Sequence, residues 1–265
     1  MAKTGFVERQ IAPVRPFVAD AVQADILTLA ADQSAVVLGA PGTGKTRVLT
    51  ELVVSRVAQG TTPDNIVVLS PNRVAAGRLR NSLGLRLGIA TNGALARTPG
   101  SLAFALAQEH ALATGQVAPR MLTGSEQDSI IAELLVGHIE DGSGPAGPDP
   151  LVPEVRQRRA FRSELRDLFA RSTEMGWTPV ELRKQGQTRE HPEWVAAAEF
   201  WNEYREVLAG FRTESFDASE ILSIGANALA DAAVMSDVEL VLVDDAQELT
   251  FGAVRILQAF ARRGV

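Results

Sequence analysis

Residues 39–46 read Gly39, Ala40, Pro41, Gly42, Thr43, Gly44, Lys45 and Thr46. This satisfies G-x-x-x-x-G-K-[S/T], and each position has a chemical reason. Glycines let backbone N–H groups converge on phosphate oxygens with no Cβ in the way. A helix starting near Thr46 would turn its positive dipole end toward the same anion. Lys45 has the reach for β- and γ-phosphates, and the Thr46 hydroxyl suits Mg²⁺. A second stretch, LVLVDDAQE (240–248), supplies carboxylates. Asp244 follows four apolar residues and should emerge at the carboxyl edge of a sheet, where α/β proteins bind ligands. There it would hold the metal, through water. Asp245 could orient or deprotonate an attacking water.

These residues need a frame. AVVLG (35–39) reads as a buried strand entering the loop, and 46–58 as a helix stopped by Gly60. Residues 66–69 are the next strand, and 74–87 form an arginine-rich helix closed by Gly88. The signature returns at the end, with a strand at 238–243 and a helix at 251–261. This rhythm predicts an α/β fold, a P-loop parallel sheet with right-handed crossovers. A further short helix is expected over 18–29, and residues 1–15, without a period, should be loosely held. Between these parts, residues 101–114, 127–138, 154–174, 193–208 and 218–232 have helical spacing, with no strand evident among them. Thr123 with Glu126 and Asp217 with Glu220 fit capping boxes, and 141–150 (DGSGPAGPDP) reads as a mobile loop. The expected organisation is a nucleotide-binding part over 1–104, an inserted all-helical subdomain over 105–214, and the second part of the α/β domain over 215–265.

Composition narrows the classes. At 265 residues and 46% hydrophobic, the chain can bury a core, which excludes a wholly disordered protein. There are no cysteines, so disulfides and thiolate chemistry are excluded. His110, His138 and His191 are widely spaced and suggest no zinc site. No apolar run approaches a membrane span, and the N-terminus has no apolar h-region, so a soluble cytoplasmic protein is expected. The net charge of −6 excludes a uniformly basic coat but not a local basic groove. Arg73, Arg78, Arg80 and Arg86, with no acid between Asn72 and Arg97, are the best such candidate. The arginines of 154–190 are interleaved with acids and read as a solvated helix face. Trp194, Trp201 and Tyr204 sit near helical spacing and read as a core stripe.

GAPGTGKTRVL followed by LVLVDDAQE resembles the first RecA-like domain of UvrD/Rep-type superfamily 1A DNA helicases. Weaker matches fall in the same order. Gln23 is similar to the family's adenine-reading glutamine, and Arg47 matches the residue after G-K-T. SPNRVAA (70–76), with Asn72 and Arg73, and TPGS (98–101), with Thr98 and Ser101, resemble DNA-contacting segments. SFDASEIL (215–222) resembles the segment that re-enters the α/β domain after a helical insertion. MLTGSEQDSIIAELL and RSELRDLFARSTEMGWTPVELRKQG look most like subunits of the AdnAB-type helicase–nucleases.

The resemblance implies ATP and Mg²⁺ as cofactors, single-stranded and duplex DNA as partners, 3′–5′ movement, and a role in DNA end processing and repair. It implies that Gln247 senses the γ-phosphate, so that Lys45, Asp245 and Gln247 form the catalytic set. A partner helicase–nuclease subunit and a second RecA-like domain are implied too. The chain ends where the family's next strand would begin, so a longer enzyme is expected. There are departures. D-D-A-Q-E stands where the family has D-E-x-Q-D, so Asp245 is one methylene shorter. Pro99 and Gly100 replace an aromatic and a histidine, and base-stacking aromatics are worth about 1–3 kcal/mol each. The alternative is a vestigial nucleotide- or DNA-binding scaffold or regulatory subunit without motor activity.

Overall fold

The computed structural model describes residues 17–30, 32–89, 91, 93–145, 152–211 and 214–265. Its sheet is built on β1 (Ile66–Leu69), a run of four buried aliphatic residues. A strand buried on both faces carries apolar side chains at every position rather than alternate ones. β1 pairs in parallel with β2 (Ala96–Arg97) on one side and β5 (Leu240–Val243) on the other. Side chains alternate across the pleat. Ile66 and Val68 accordingly pack in one core with Val53 of α2 (Lys45–Ala58) and Leu79 and Leu83 of α3 (Arg73–Leu87). Val67 and Leu69 face the other core, formed by α4 (Pro99–Thr114), α10 (Ala218–Ala228) and α11 (Phe251–Arg262), with Leu102, Leu106, Ile221 and Phe260. A short α1 (Ala21–Leu27) precedes the sheet, started by a capping box between Asp20 and Gln23.

The α4–α10 contact is tight. A Cβ added at Gly225 would lie 2.6 Å from Ala103 Cα and 2.7 Å from its carbonyl oxygen, so only hydrogen fits. Both expected capping boxes form, Thr123 with Glu126 and Asp217 with Glu220.

The intervening helices are α5 (Gly124–Glu140), α6 (Pro153–Arg156), α7 (Arg159–Glu174), α8 (Pro179–Thr188) and α9 (Pro192–Phe211). They enclose a core of their own, with Ile131, Leu135, Phe169, Leu182, Trp201 and Tyr204 buried. Phe169 stacks on Trp201 at 5.2 Å, and Trp194 packs against the same cluster. Arg162 of α7 grips Asp128 of α5 with both Nε and Nη2, at 3.0 and 2.9 Å.

Several expectations are corrected. Residues 35–39 form no strand: Val36 and Leu38 are 87% and 89% exposed, and β5 is the last strand of its sheet. Apolar composition gives a buried strand only when the segment pairs in a ladder, and residues 35–39 pair with no strand among the described residues. The helices expected at 18–29 and 218–232 are shorter, and 154–174 is divided into α6 and α7. α8 was missed because, of its buried Pro179, Leu182 and Gly186, only Leu182 is a large aliphatic side chain, which gives a weak apolar period. The middle also contains strands: β3 (Arg120–Met121) pairs in parallel with β4 (Ser215–Phe216). Two-residue strands are too short to show alternation. The expectation for residues 1–15 lies outside the described residues, as does the part of the 141–150 loop at 146–150.

Candidate functional site

The loop before α2 adopts the backbone its glycines allow. Gly42 and Gly44 have φ of 84° and 85°, the left-handed region that side chains resist. A Cβ on Gly39 would lie 2.8 Å from Thr43 Oγ1. Gly44 is the N-cap of α2 and offers no side-chain acceptor, so no cap occupies the N–H groups of the first turn. Such free N–H groups, at the positive end of a 14-residue helix, make an anion cradle. Pro41 and Gly42 form the turn, and the Ala40 carbonyl that closes it accepts the Thr43 N–H at 3.3 Å and the Thr43 hydroxyl at 2.9 Å. The Lys45 ammonium folds over the loop and donates to the carbonyls of Gly39 and Ala40 at 2.8 and 3.0 Å.

Gln23 packs against this loop. Its Nε2 donates to the Thr43 carbonyl at 3.2 Å, while its Oε1 accepts the Asp20 N–H at 3.1 Å. The Arg47 guanidinium lies 5.2 Å from the centre of the Phe17 ring.

Asp244 arrives from the far end of the sequence. β5 runs parallel to β1, and the Asp244 N–H donates to the Leu69 carbonyl at 2.9 Å, which carries the side chain to the carboxyl rim. The Thr46 hydroxyl is 2.9 and 3.1 Å from the two Asp244 carboxylate oxygens. Asp244 is 7% exposed, and burial, then the charge of Asp245, push its pKa up. The hydroxyl of Thr46 and the charge of Lys45 oppose that rise. A buried carboxylate raised by desolvation and paired with a hydroxyl is a hard-oxygen donor set, which fits Mg²⁺.

Asp245 itself has φ 50° and ψ 48°. Asp and Asn tolerate that left-handed conformation better than longer side chains. Gln247 Nε2 donates to Asp245 Oδ1 at 3.2 Å, so the glutamine touches the second carboxylate directly. Nothing in the sequence pattern announced that conformation.

The candidate DNA residues lie at the ends of β1 and β2, neighbouring strands joined there by Ser70 N–H to the Arg97 carbonyl at 3.0 Å. Asn72 caps α3, accepting the Ala75 N–H at 2.9 Å. Thr98 caps α4, accepting the Ser101 N–H at 3.2 Å. Arg73 and Ser101 are exposed. The arginines of α3 do not form one face. Arg80 donates to the Ala96 carbonyl, and Arg86 pairs with Glu51 of α2. Arg78 lines a cavity of about 580 Å³ with Thr46, Asp244 and Asp245. Arg73, Arg78, Arg80 and Arg86, the candidates for a local basic groove, are thus divided among different surroundings; spacing alone left the phase of α3 open.

Among the described residues no group of three or more His, Asp or Glu could hold a metal, and no helix is long and apolar enough to cross a membrane. The three histidines make carboxylate contacts: His138 with Glu203, His191 with Glu193, and His110 with Asp231.

A search of curated proteins gave no match. A family model described as UvrD/REP helicase N-terminal domain matches residues 20–264, spanning the phosphate loop, the helical segment and the D-D-A-Q-E run. That description points to helicase function on DNA; UvrD-like helicases in general use ATP and Mg²⁺. The chain belongs to the UvrD/REP helicase N-terminal domain family.

Proposed function

We propose that this chain is the ATP-binding, RecA-like part of a DNA helicase, and that residues 39–47 with Gln23 and Asp244 form its nucleotide site. The observation that carries the reading is the contact of Thr46 with Asp244 across 198 residues of sequence. The Gly42–Gly44 backbone cradles phosphates, and Lys45 leaves the carbonyls of Gly39 and Ala40 for the β- and γ-phosphate oxygens. Thr46 and Asp244 would hold Mg²⁺, and it would supply neutralisation of the phosphate charge. Asp245, aimed by Gln247, takes a proton from or orients the attacking water. Asn72, Arg73, Thr98 and Ser101 contact the DNA backbone at the same rim. The finer parts of this proposal are 3′–5′ movement, a helicase–nuclease partner in DNA end repair, a second RecA-like domain supplying arginines, and domain limits near 105 and 214.

Asp245 favours a second reading. A carboxylate one methylene short, in a left-handed backbone and held by Gln247, suits a nucleotide-holding subunit with slow hydrolysis.

The test is titration with a fluorescent ATP analogue and Mg²⁺, alongside single-strand-stimulated hydrolysis and unwinding of a 3′-tailed duplex. Wild type should bind, and Lys45→Ala should weaken binding at least about tenfold, the loss expected when a charged hydrogen bond disappears. Equal binding by Lys45→Ala would refute the site. The 265-residue chain alone should bind ATP but hydrolyse it poorly, since the second RecA-like domain supplies arginines to the site. Binding without DNA-stimulated turnover in the longer enzyme that carries that domain would select the second reading.

A further inference from the structure

The cavity between α2 and α3 is more than an edge of the nucleotide loop. α3 presents Ala75, Arg78, Leu79, Ser82 and Arg86 to it, a stripe at helical spacing, and α2 presents Thr46, Arg47, Thr50 and Glu51. The charges sort themselves. Arg86 is committed to Glu51. Arg78 has no hydrogen bond or ion pair among the described residues. Arg78 shares this lining with Asp244 and Asp245.

We propose that Arg78 holds inorganic phosphate in this cavity after it leaves the nucleotide. The inference rests on the nucleotide reading of residues 39–46 and names a product site beside it. Thr46 and Asp244 belong to both places, so the cavity begins at the metal corner, where the γ-phosphate would lie, and extends away from the loop. A divalent cation on Asp244 would add positive charge at that end of the cavity, beside the Arg78 guanidinium, which favours a hydrogen phosphate dianion there. The guanidinium fork matches phosphate oxygens with two parallel N–H donors, which a lysine cannot reproduce. Arg78 makes and breaks no covalent bond. Hydrolysis places the water oxygen on phosphorus, leaves the bridging electron pair on ADP and frees a proton, and Arg78 receives the finished anion.

The experiment loads the 265-residue chain with fluorescent ADP and Mg²⁺ and then titrates orthophosphate. Wild type is compared with Arg78→Ala and Arg78→Lys. Arg183→Ala serves as a charge control, since Arg183 pairs with Glu199 on helices remote from the loop. Phosphate affinity should fall about tenfold in Arg78→Ala and recover in part in Arg78→Lys, the loss expected for one charged hydrogen bond. Single-strand DNA affinity is measured on the same samples. Unchanged phosphate affinity in Arg78→Ala would overturn the proposal, as would an equal loss in Arg183→Ala. A loss of DNA affinity with phosphate binding retained would also overturn it and assign the cavity to DNA. If wild type fails to bind Mg·ADP, the nucleotide reading falls too, and that is visible before any phosphate is added.

Discussion

Replacing Asp244 by Asn should separate what the site needs for function from what the fold prefers. The wild-type carboxylate is buried and its pKa is raised, so the folded state binds its proton more tightly than the unfolded chain does. Stability from this group therefore falls as pH rises out of the ordinary carboxylate range, and the penalty persists at neutral pH. Asn keeps the oxygen that accepts the Thr46 hydroxyl and removes the charge. The expected result for the ligand-free protein at pH 7.5 is a gain of about 1 kcal/mol, typical for relieving a strained functional position. For a chain of this size that raises Tm by about 2–4 °C. Ligand acts in the opposite direction. Mg²⁺ with a non-hydrolysable ATP analogue at a hundred times Kd stabilises wild type by about 2.7 kcal/mol, or about 5–11 °C. Asp244→Asn should lose the Mg²⁺-dependent share of that shift. The assay is thermal unfolding with and without Mg²⁺, nucleotide and EDTA. A variant that is less stable without ligand, yet shows the full Mg²⁺-dependent shift, would refute both the burial argument and the metal role.

Three more outcomes test the frame. Glu220, pushed up to about 7 by burial and by the charge of Asp217, should make the fold lose stability as pH rises from about 4.5 to about 7. Glu220→Gln should flatten that slope in denaturant titrations at pH 5 and 8. Asp128 behaves oppositely: Arg162 holds its pKa below the ordinary value, so its contribution is present at neutral pH and lost on acidification. Asp128→Asn should cost about 0.5–1 kcal/mol at pH 7, and the difference from wild type should vanish in acid. Gly225→Ala should cost about 1–3 kcal/mol by overpacking α10 against Ala103, read as a lower denaturation midpoint with unchanged slope.

The backbone of the 39–46 loop could be read from sequence because it is set locally: Gly42, Gly44, Lys45 and Thr46 are close in the chain, and glycine geometry dictates the turn. The same holds for the helix caps and for β1, whose four aliphatic residues admit burial on both faces. Asp244 was legible as a strand-end carboxylate, but its bond to Thr46 depends on β5 lying beside β1, a pairing between distant segments. The exposed 35–39 segment shows the limit from the other side, since apolar composition cannot supply a partner strand. The tertiary structure alone divided the arginines of α3, sending Arg86 to Glu51, Arg80 to the Ala96 carbonyl and Arg78 to the cavity beside Thr46 and Asp244. Sequence spacing fixes which side chains share a helix face. What that face meets is set by the rotation of the helix against its neighbours, and burial of Leu79 and Leu83 against the sheet decided it here.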